Sequence, residues 1–276
     1  MRIRPIAALL SGLTALSAVF VAAQDNPGPP HPKRKLLVFT RSAGFKHACI
    51  PVLEKALTDL GSSSGAFAAT VTQDPEAFTP GNLAGYDAVF FYTTRDVLPK
   101  PEQRKALFDF VKGGKGFIGS HCATDTLYGP GVKEGETPCP EYGEMIGAYF
   151  DGHPWGAGSK VTIKVEDATH PATKGLPGSW ELPDEIYQFQ EFSRERVHVL
   201  MSLDAEKMDV SKGKRADKDY AIAWCRKYGE GRVFYTALGH MEEHWNDRET
   251  FLGKHILPAI RWAMGDEAWE MPKKAN

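Results

Sequence analysis

The run Lys35-Leu36-Leu37-Val38-Phe39-Thr40 constrains this chain more than any other stretch. Its apolar residues are consecutive rather than alternate, which is the pattern of a strand covered on both faces. A helical segment follows, because Pro51 to Leu60 repeats apolar residues at helical spacing and Gly61 is expected to stop it. Phe67 to Thr72, Tyr86 to Tyr92 and Gly116 to Gly119 read as further strands. Pro101 to Val111 reads as a helix that opens on proline and closes at Gly113-Gly114. Strands that alternate with helices make βαβ units and a parallel sheet, since parallel neighbours need crossover connections.

After Ser159 the texture changes. Val161 to Val165 and Val197 to Met201 alternate in polarity, and Ala221 to Cys225 with Arg232 to Leu238 flank a Gly229-Glu230-Gly231 turn, the signature of a hairpin. Thr250 to Met264 has the spacing of a closing amphipathic helix. The expected fold is one α/β domain over residues 35–268. It has three α/β/α layers, a doubly wound, mostly parallel sheet of the flavodoxin-like kind, and a late β-hairpin.

The first residues stand apart from this pattern. Arg2 and Arg4 precede an apolar run from Ile6 to Phe20, and Val21-Ala22-Ala23 offers small residues for cleavage. That layout is a secretory signal peptide over residues 1–23, and the run is short of the roughly 20 residues a membrane span needs. Residues 24–34 read as a linker, with four prolines between Gln24 and Pro32. Export would place the protein in the periplasm or outside the cell. Cleavage of 23 residues from 276 leaves 253, enough for one substantial core. The formal charge of −2 loses two arginines and becomes −4, which gives no footing for nucleic acid or an anionic membrane. In an oxidising compartment Cys49, Cys122, Cys139 and Cys225 could form one or two disulfides, whose pairing spacing does not reveal.

Open doubly wound sheets bind ligands at the carboxyl ends of their strands, so the segments just after each strand carry the chemistry. His47 follows the first strand, His121 the fourth and His240 the last of the hairpin. Histidine titrates near neutrality and is the commonest metal ligand, so three at separate strand ends point to one shared site. His153, in a Gly-rich loop, is a further candidate. His31 lies in the linker, His198 is on the polar face of its strand, and His170 in Thr169-His170-Pro171 suits a loop turn.

The same blocks carry a family likeness. They are Gly44-Phe45-Lys46-His47; Gly119-Ser120-His121 with Thr124-Asp125-Thr126-Leu127-Tyr128; and Gly147-Ala148-Tyr149-Phe150 with His153-Pro154. Further along come Glu166-Asp167 with His170-Pro171, Asp184-Glu185-Ile186-Tyr187, and Arg232-Val233-Phe234-Tyr235-Thr236 with Gly239-His240. Together, over nearly all of Lys35 to Met264, they resemble the trehalose-utilisation (ThuA-like) family. The resemblance implies a class I glutamine amidotransferase-like fold and a link to carbohydrate metabolism, with a small-molecule carbohydrate as partner.

Amidotransfer itself is disfavoured. That chemistry needs a nucleophilic cysteine at the strand-to-helix turn with a histidine in reach. Although His240-Met241-Glu242 matches the His-x-Glu half, His121 occupies the nucleophile position and Cys122 comes one residue late. Acid–base chemistry on a sugar suits the set better, with His121 and His240 as the proton-transfer pair and Asp125, Glu185 or Glu242 tuning them. His47, Tyr128, His153, Tyr187 and Trp245 would then contact the sugar. Alternatively, His47, His121 and His240 with one carboxylate could bind a divalent metal, although no close-spaced signature supports it and His240 and His244 share a face only if their segment is helical. A non-catalytic carbohydrate binder would use the same residues. Arg95, directly after the third strand, could pair an acidic substrate group or Asp96.

Overall fold

Leu36 and Val38 project from one face of strand β1 (Arg34–Phe39), Leu37 and Phe39 from the other, and all four are buried. That single strand therefore feeds two cores. The computed structural model describes Met1, residues 34–128 and residues 138–272. The expected leader and linker lie outside the described residues, apart from Met1 and Arg34, the latter being the first residue of β1.

The chain continues through α1 (Ile50–Ser64), β2 (Phe67–Thr72), α2 (Pro80–Leu83), β3 (Ala88–Phe91), α3 (Pro101–Lys112), β4 (Gly116–Ser120) and α4 (Pro140–Ile146). Then come β5 (Tyr149–Phe150), β6 (Trp155–Val165), β7 (Ser179–Ile186), β8 (Phe189–Gln190), β9 (His198–Leu203), β10 (Ala221–Tyr228) and β11 (Gly231–Thr236). Helix α5 (Glu242–Asn246), a π-helical stretch at Thr250–Ile256 and α6 (Leu257–Ala263) close the fold.

Nine strands form one sheet in the order β2-β1-β3-β4-β11-β10-β9-β6-β7. The pairings from β2 to β11 are parallel and those from β11 outward antiparallel, so only β10 and β6 run against the rest. Strands β5 and β8 pair separately. Ile50, Leu53 and Leu57 of α1 and Ile260 of α6 cover one face with Leu36 and Val38. Leu107 and Val111 of α3 and Tyr142 and Ile146 of α4 cover the other with Leu37 and Phe39. The three-layer α/β expectation holds, because strands with two apolar faces are stable only with helices on both sides.

Two local expectations are corrected, and one strand was not anticipated. Gly61 does not stop α1, which runs on to Gly65 in the left-handed region at φ 69°. Instead Gly61 is where the helix meets β2, and a Cβ there would lie 2.6 Å from the ring and the carbonyl oxygen of Phe67. Thr250 to Met264 is not one α-helix. Leu252 N–H reaches back to Asp247 O at 2.9 Å, the five-residue step of a π-helix, ahead of Pro258, which has no N–H to continue an α ladder. Finally, β7 escaped the sequence reading because it is an edge strand with an irregular burial pattern and Pro183 inside it, a residue tolerated only at edges.

Candidate active site

Chain order reverses at β1, with β2 on one side and β3 on the other, and the crevice beyond such a reversal is where an open α/β sheet holds its ligand. His47 comes from the β1–α1 loop and is 4% exposed. His121 is the first residue after β4, wholly buried, and bent into the left-handed region at φ 47°. This conformation is costly for a residue with a Cβ and is typical of functional turns. His240 lies four residues beyond β11, after Gly239 at φ 115°. Glu185 is delivered from the far edge of the sheet by β7.

The four side chains meet. His121 Nε2 is 3.1 Å from His240 Nδ1 and 3.4 Å from Glu185 Oε2, while His240 Nδ1 is 3.3 Å from the same oxygen. The His47 ring stands edge-on to His121 at 5.0 Å and to His240 at 5.2 Å between centroids. One ligating atom from each of the four lies within 4.8 Å of all the others. His121 Nδ1 is 3.0 Å from Ala237 O, and a carbonyl only accepts, so Nδ1 carries a hydrogen and Nε2 is the ring atom turned on the cluster.

Burial pushes the His47 imidazole down to about 3, helped by the neighbouring His121 and His240, so it is neutral. Burial works to raise Glu185, but hydrogen bonding and charge from His121 and His240 prevail and hold it well below the usual carboxylate range. Hydrogen bonding to Glu185 raises His240 against the effect of its own burial.

A cleft of about 460 Å³ opens over the cluster, lined among others by Phe45, Arg95, Asp125, Phe150, His153 and Tyr187 as well as His47, Glu185 and His240. His153 is 53% exposed at its side chain, with Nδ1 3.7 Å from Glu185 Oε1. The ring of Tyr187 sits 4.4 Å from those of both His121 and Phe150. Phe45 is 67% exposed and stacks edge-on to His47 at 4.8 Å.

Several expected roles change. His121 lies wholly buried beneath the cleft, with Nε2 on His240 and Glu185. Asp125 lines the cleft and pairs with Arg95, Nε to Oδ2 at 3.5 Å. Arg95 therefore does not pair with Asp96, which holds Arg104 at 2.8 Å. Tyr128 stands beside Arg95, its ring 5.9 Å from the guanidinium, and is not among the described residues lining the cleft. Trp245 is a core residue: it packs on Phe90, Tyr92 and Phe251, and its Nε1 donates to Gly239 O at 2.9 Å, bracing the turn before His240. Glu242 lies on the first turn of α5, away from the cluster. His198 pairs with Asp167 at 2.8 Å, and His170 Nδ1 accepts the Ala172 N–H within its loop at 3.1 Å, both as the sequence suggested.

All four cysteines are free thiols and buried, so none of the possible disulfides is present. Burial keeps the Cys122 thiol far above its ordinary pKa, which removes it as a nucleophile.

Asp184 is the residue that sequence reasoning missed. Wholly buried, it accepts Gly239 N–H at 2.9 Å and His240 N–H at 3.2 Å, and His244 Nε2 lies 3.0 Å from Oδ2. Its place beside Glu185 was the available signal. Phe45 and Phe150 were also missed as cleft walls, since an aromatic beside a site histidine looks like any packing residue.

The model of a trehalose-utilisation family, ThuA, matches residues 35–263. Among solved structures, a ThuA-like protein from Bacteroides uniformis is 25% identical with a TM-score of 0.66, and the match covers 84% of this chain and 91% of that one. A second, from Parabacteroides merdae, is 18% identical with a TM-score of 0.59 over 88% of this chain and 94% of the other. A cold-adapted β-galactosidase from Rahnella shares the fold alone, at 14% identity and a TM-score of 0.54, and the match covers 86% of this chain and 32% of the enzyme. No curated protein matches the chain.

Proposed function

The chain belongs to the trehalose-utilisation (ThuA) family, and from that premise we propose that it binds and processes a sugar or sugar derivative in the cleft above His240 and Glu185. The observation that carries this reading is the composition of the cleft wall. Phe45, Phe150 and Tyr187 offer flat apolar faces, while Arg95, Asp125, His153, Glu185 and His240 offer polar groups on the same surface. A sugar ring has apolar C–H faces and a rim of hydroxyls, and so matches both.

Proton transfer at this surface falls to His153, which is exposed and stands beside an ionised carboxylate. His47, His121 and His240 form the fixed polar floor below it. Saturable binding of unmodified disaccharides, or of disaccharides oxidised to a ring ketone, is expected by titration calorimetry. Phe45→Ala should weaken it about tenfold, in line with about 1–1.5 kcal/mol for an aromatic contact. The absence of binding by either sugar class would overturn the reading.

A non-catalytic binder uses the same wall. His153→Ala separates the two, since an enzyme loses turnover with affinity largely retained, while a binder has only affinity to lose.

We also place the protein outside the cytoplasm, on the strength of Arg2, Arg4, the apolar run and the Val21-Ala22-Ala23 motif. Exported material should begin near Gln24 on N-terminal sequencing; material that keeps Met1 and stays in the cytoplasm would exclude export.

A further inference from the structure

We propose that His47, His121, His240 and Glu185 form a binding site for a single divalent transition-metal ion, with its open positions facing the cleft. The inference goes beyond the sugar reading and does not need it, because metal occupancy can be measured with no sugar present.

Distances carry the first part of the argument. Ions such as zinc hold nitrogen and oxygen ligands at about 2.0–2.2 Å, so ligand atoms on a shared tetrahedron or octahedron lie about 3.0–3.5 Å apart. The three separations among His121 Nε2, His240 Nδ1 and Glu185 Oε2 are 3.1, 3.4 and 3.3 Å, a triangle of that size. One ligating atom of His47 lies within 4.8 Å of all three.

Hydrogen-bond accounting carries the second. Ala237 O takes the Nδ1 hydrogen of His121, which leaves His121 Nε2, His240 Nδ1 and Glu185 Oε2 to meet one another in the cluster. His240 Nδ1 faces both His121 Nε2 and Glu185 Oε2, and a single hydrogen there cannot satisfy both fully. His47 adds a buried Nδ1 with no hydrogen-bond partner among the described residues. Three imidazoles and a carboxylate thus converge in one pocket, each with an atom able to ligate a cation. A single divalent ion resolves all of these contacts.

Supporting groups complete the site. Metal-bound imidazoles characteristically donate their second N–H to a carbonyl or carboxylate, and His121 does so to Ala237. Asp184 anchors the His240 backbone, and Trp245 braces Gly239. Three imidazoles and one carboxylate suit zinc, manganese or iron(II) rather than calcium or magnesium, which prefer all-oxygen shells. His153 and Arg95 line the cleft beyond the proposed ligands, where a sugar hydroxyl could complete the coordination shell.

The test uses the purified chain, stripped with chelator and titrated with Zn²⁺ and with Co²⁺. Stoichiometric uptake of one ion is expected, with a visible Co²⁺ absorption band and a rise in melting temperature on loading. His47→Ala and Glu185→Gln should each weaken binding more than 100-fold and abolish the Co²⁺ band. Glu185→Gln nearly preserves side-chain shape, so it covers the case in which His47→Ala does not fold. His198→Ala, remote and paired with Asp167, should bind as the parent does. Either no stoichiometric uptake, or uptake unaltered in both site variants, would overturn the proposal. Protein that takes up no metal yet binds a disaccharide would overturn the metal site and leave the sugar reading standing; protein that binds metal and no sugar would do the reverse.

Discussion

Asp184 accepts the backbone N–H of His240 at 3.2 Å, so a fully buried carboxylate from the edge strand β7 sets where a histidine beyond the central strand β11 begins. The next residue along β7, Glu185, meets the side chain of that same histidine. Two successive residues thus hold His240 by its main chain and by its ring. Asp184→Asn replaces an acceptor pair with one oxygen and an amide that cannot accept. One of the Gly239 and His240 N–H groups would lose its partner, at a cost of about 1–3 kcal/mol of folding stability. Ligands that engage His240 should bind ten- to a hundredfold more weakly, as when a group supporting a ligand is lost. Urea denaturation and a binding titration on the same variant check both.

His121 holds φ 47° with its side chain buried, and the residue type matters to that backbone. Asparagine tolerates the left-handed region, whereas β-branched valine does not. His121→Val should be about 1–2 kcal/mol less stable than His121→Asn, and both should lose metal and ligand binding. Equal stability of the two variants would show that the turn is not strained.

Gly61 gives a test in which two principles predict opposite signs. Helix propensity favours Gly→Ala inside α1 by up to about 1 kcal/mol. The close approach of Phe67, 2.6 Å from an added Cβ at both its ring and its carbonyl oxygen, opposes it. The backbone contact cannot swing away, so Gly61→Ala should destabilise the protein by about 1–3 kcal/mol in chemical denaturation.

Acid should loosen the fold through two histidines remote from the cleft. Burial holds His255 down at about 4 and His170 at about 3. His255 is fixed neutral between Ala172 O and Thr236 Oγ1, with His244 nearby and the Phe234 and Phe251 rings against it. His170 packs between Phe234, Trp262 and Trp269, and Asp167, His198, His255 and Arg232 act on its charge. Above about pH 6.5 both forms of the chain are neutral at these positions. Below it the unfolded chain takes up protons that the native fold refuses, so stability falls as pH drops from 6.5 towards 4, by roughly 2–3 kcal/mol per histidine. His255→Gln should flatten the slope of unfolding free energy between pH 4.5 and 6.5, at a lower overall stability. A slope identical to the parent's would remove His255 from the account.

The sequence by itself determined the layered α/β fold and the positions of the three central histidines. Buried parallel strands are continuous apolar runs, such as Leu36 to Phe39, and in this fold class ligand groups follow strand ends, so both features are written in local pattern. It also placed Glu185 among the candidates through its block. Other features depend on direction and distance, which no local pattern records. The left-handed turn at His121 sets its ring in the buried cluster beneath the cleft, on His240 and Glu185. The edge strand β7, disguised by Pro183, brought Asp184 and Glu185 across the sheet to His240. Core packing took Trp245 out of the cleft and under Gly239, and all four cysteines are free thiols in the interior. Tertiary structure alone decided these, because a side chain's role follows from what faces it, and here nearly every partner comes from a distant strand.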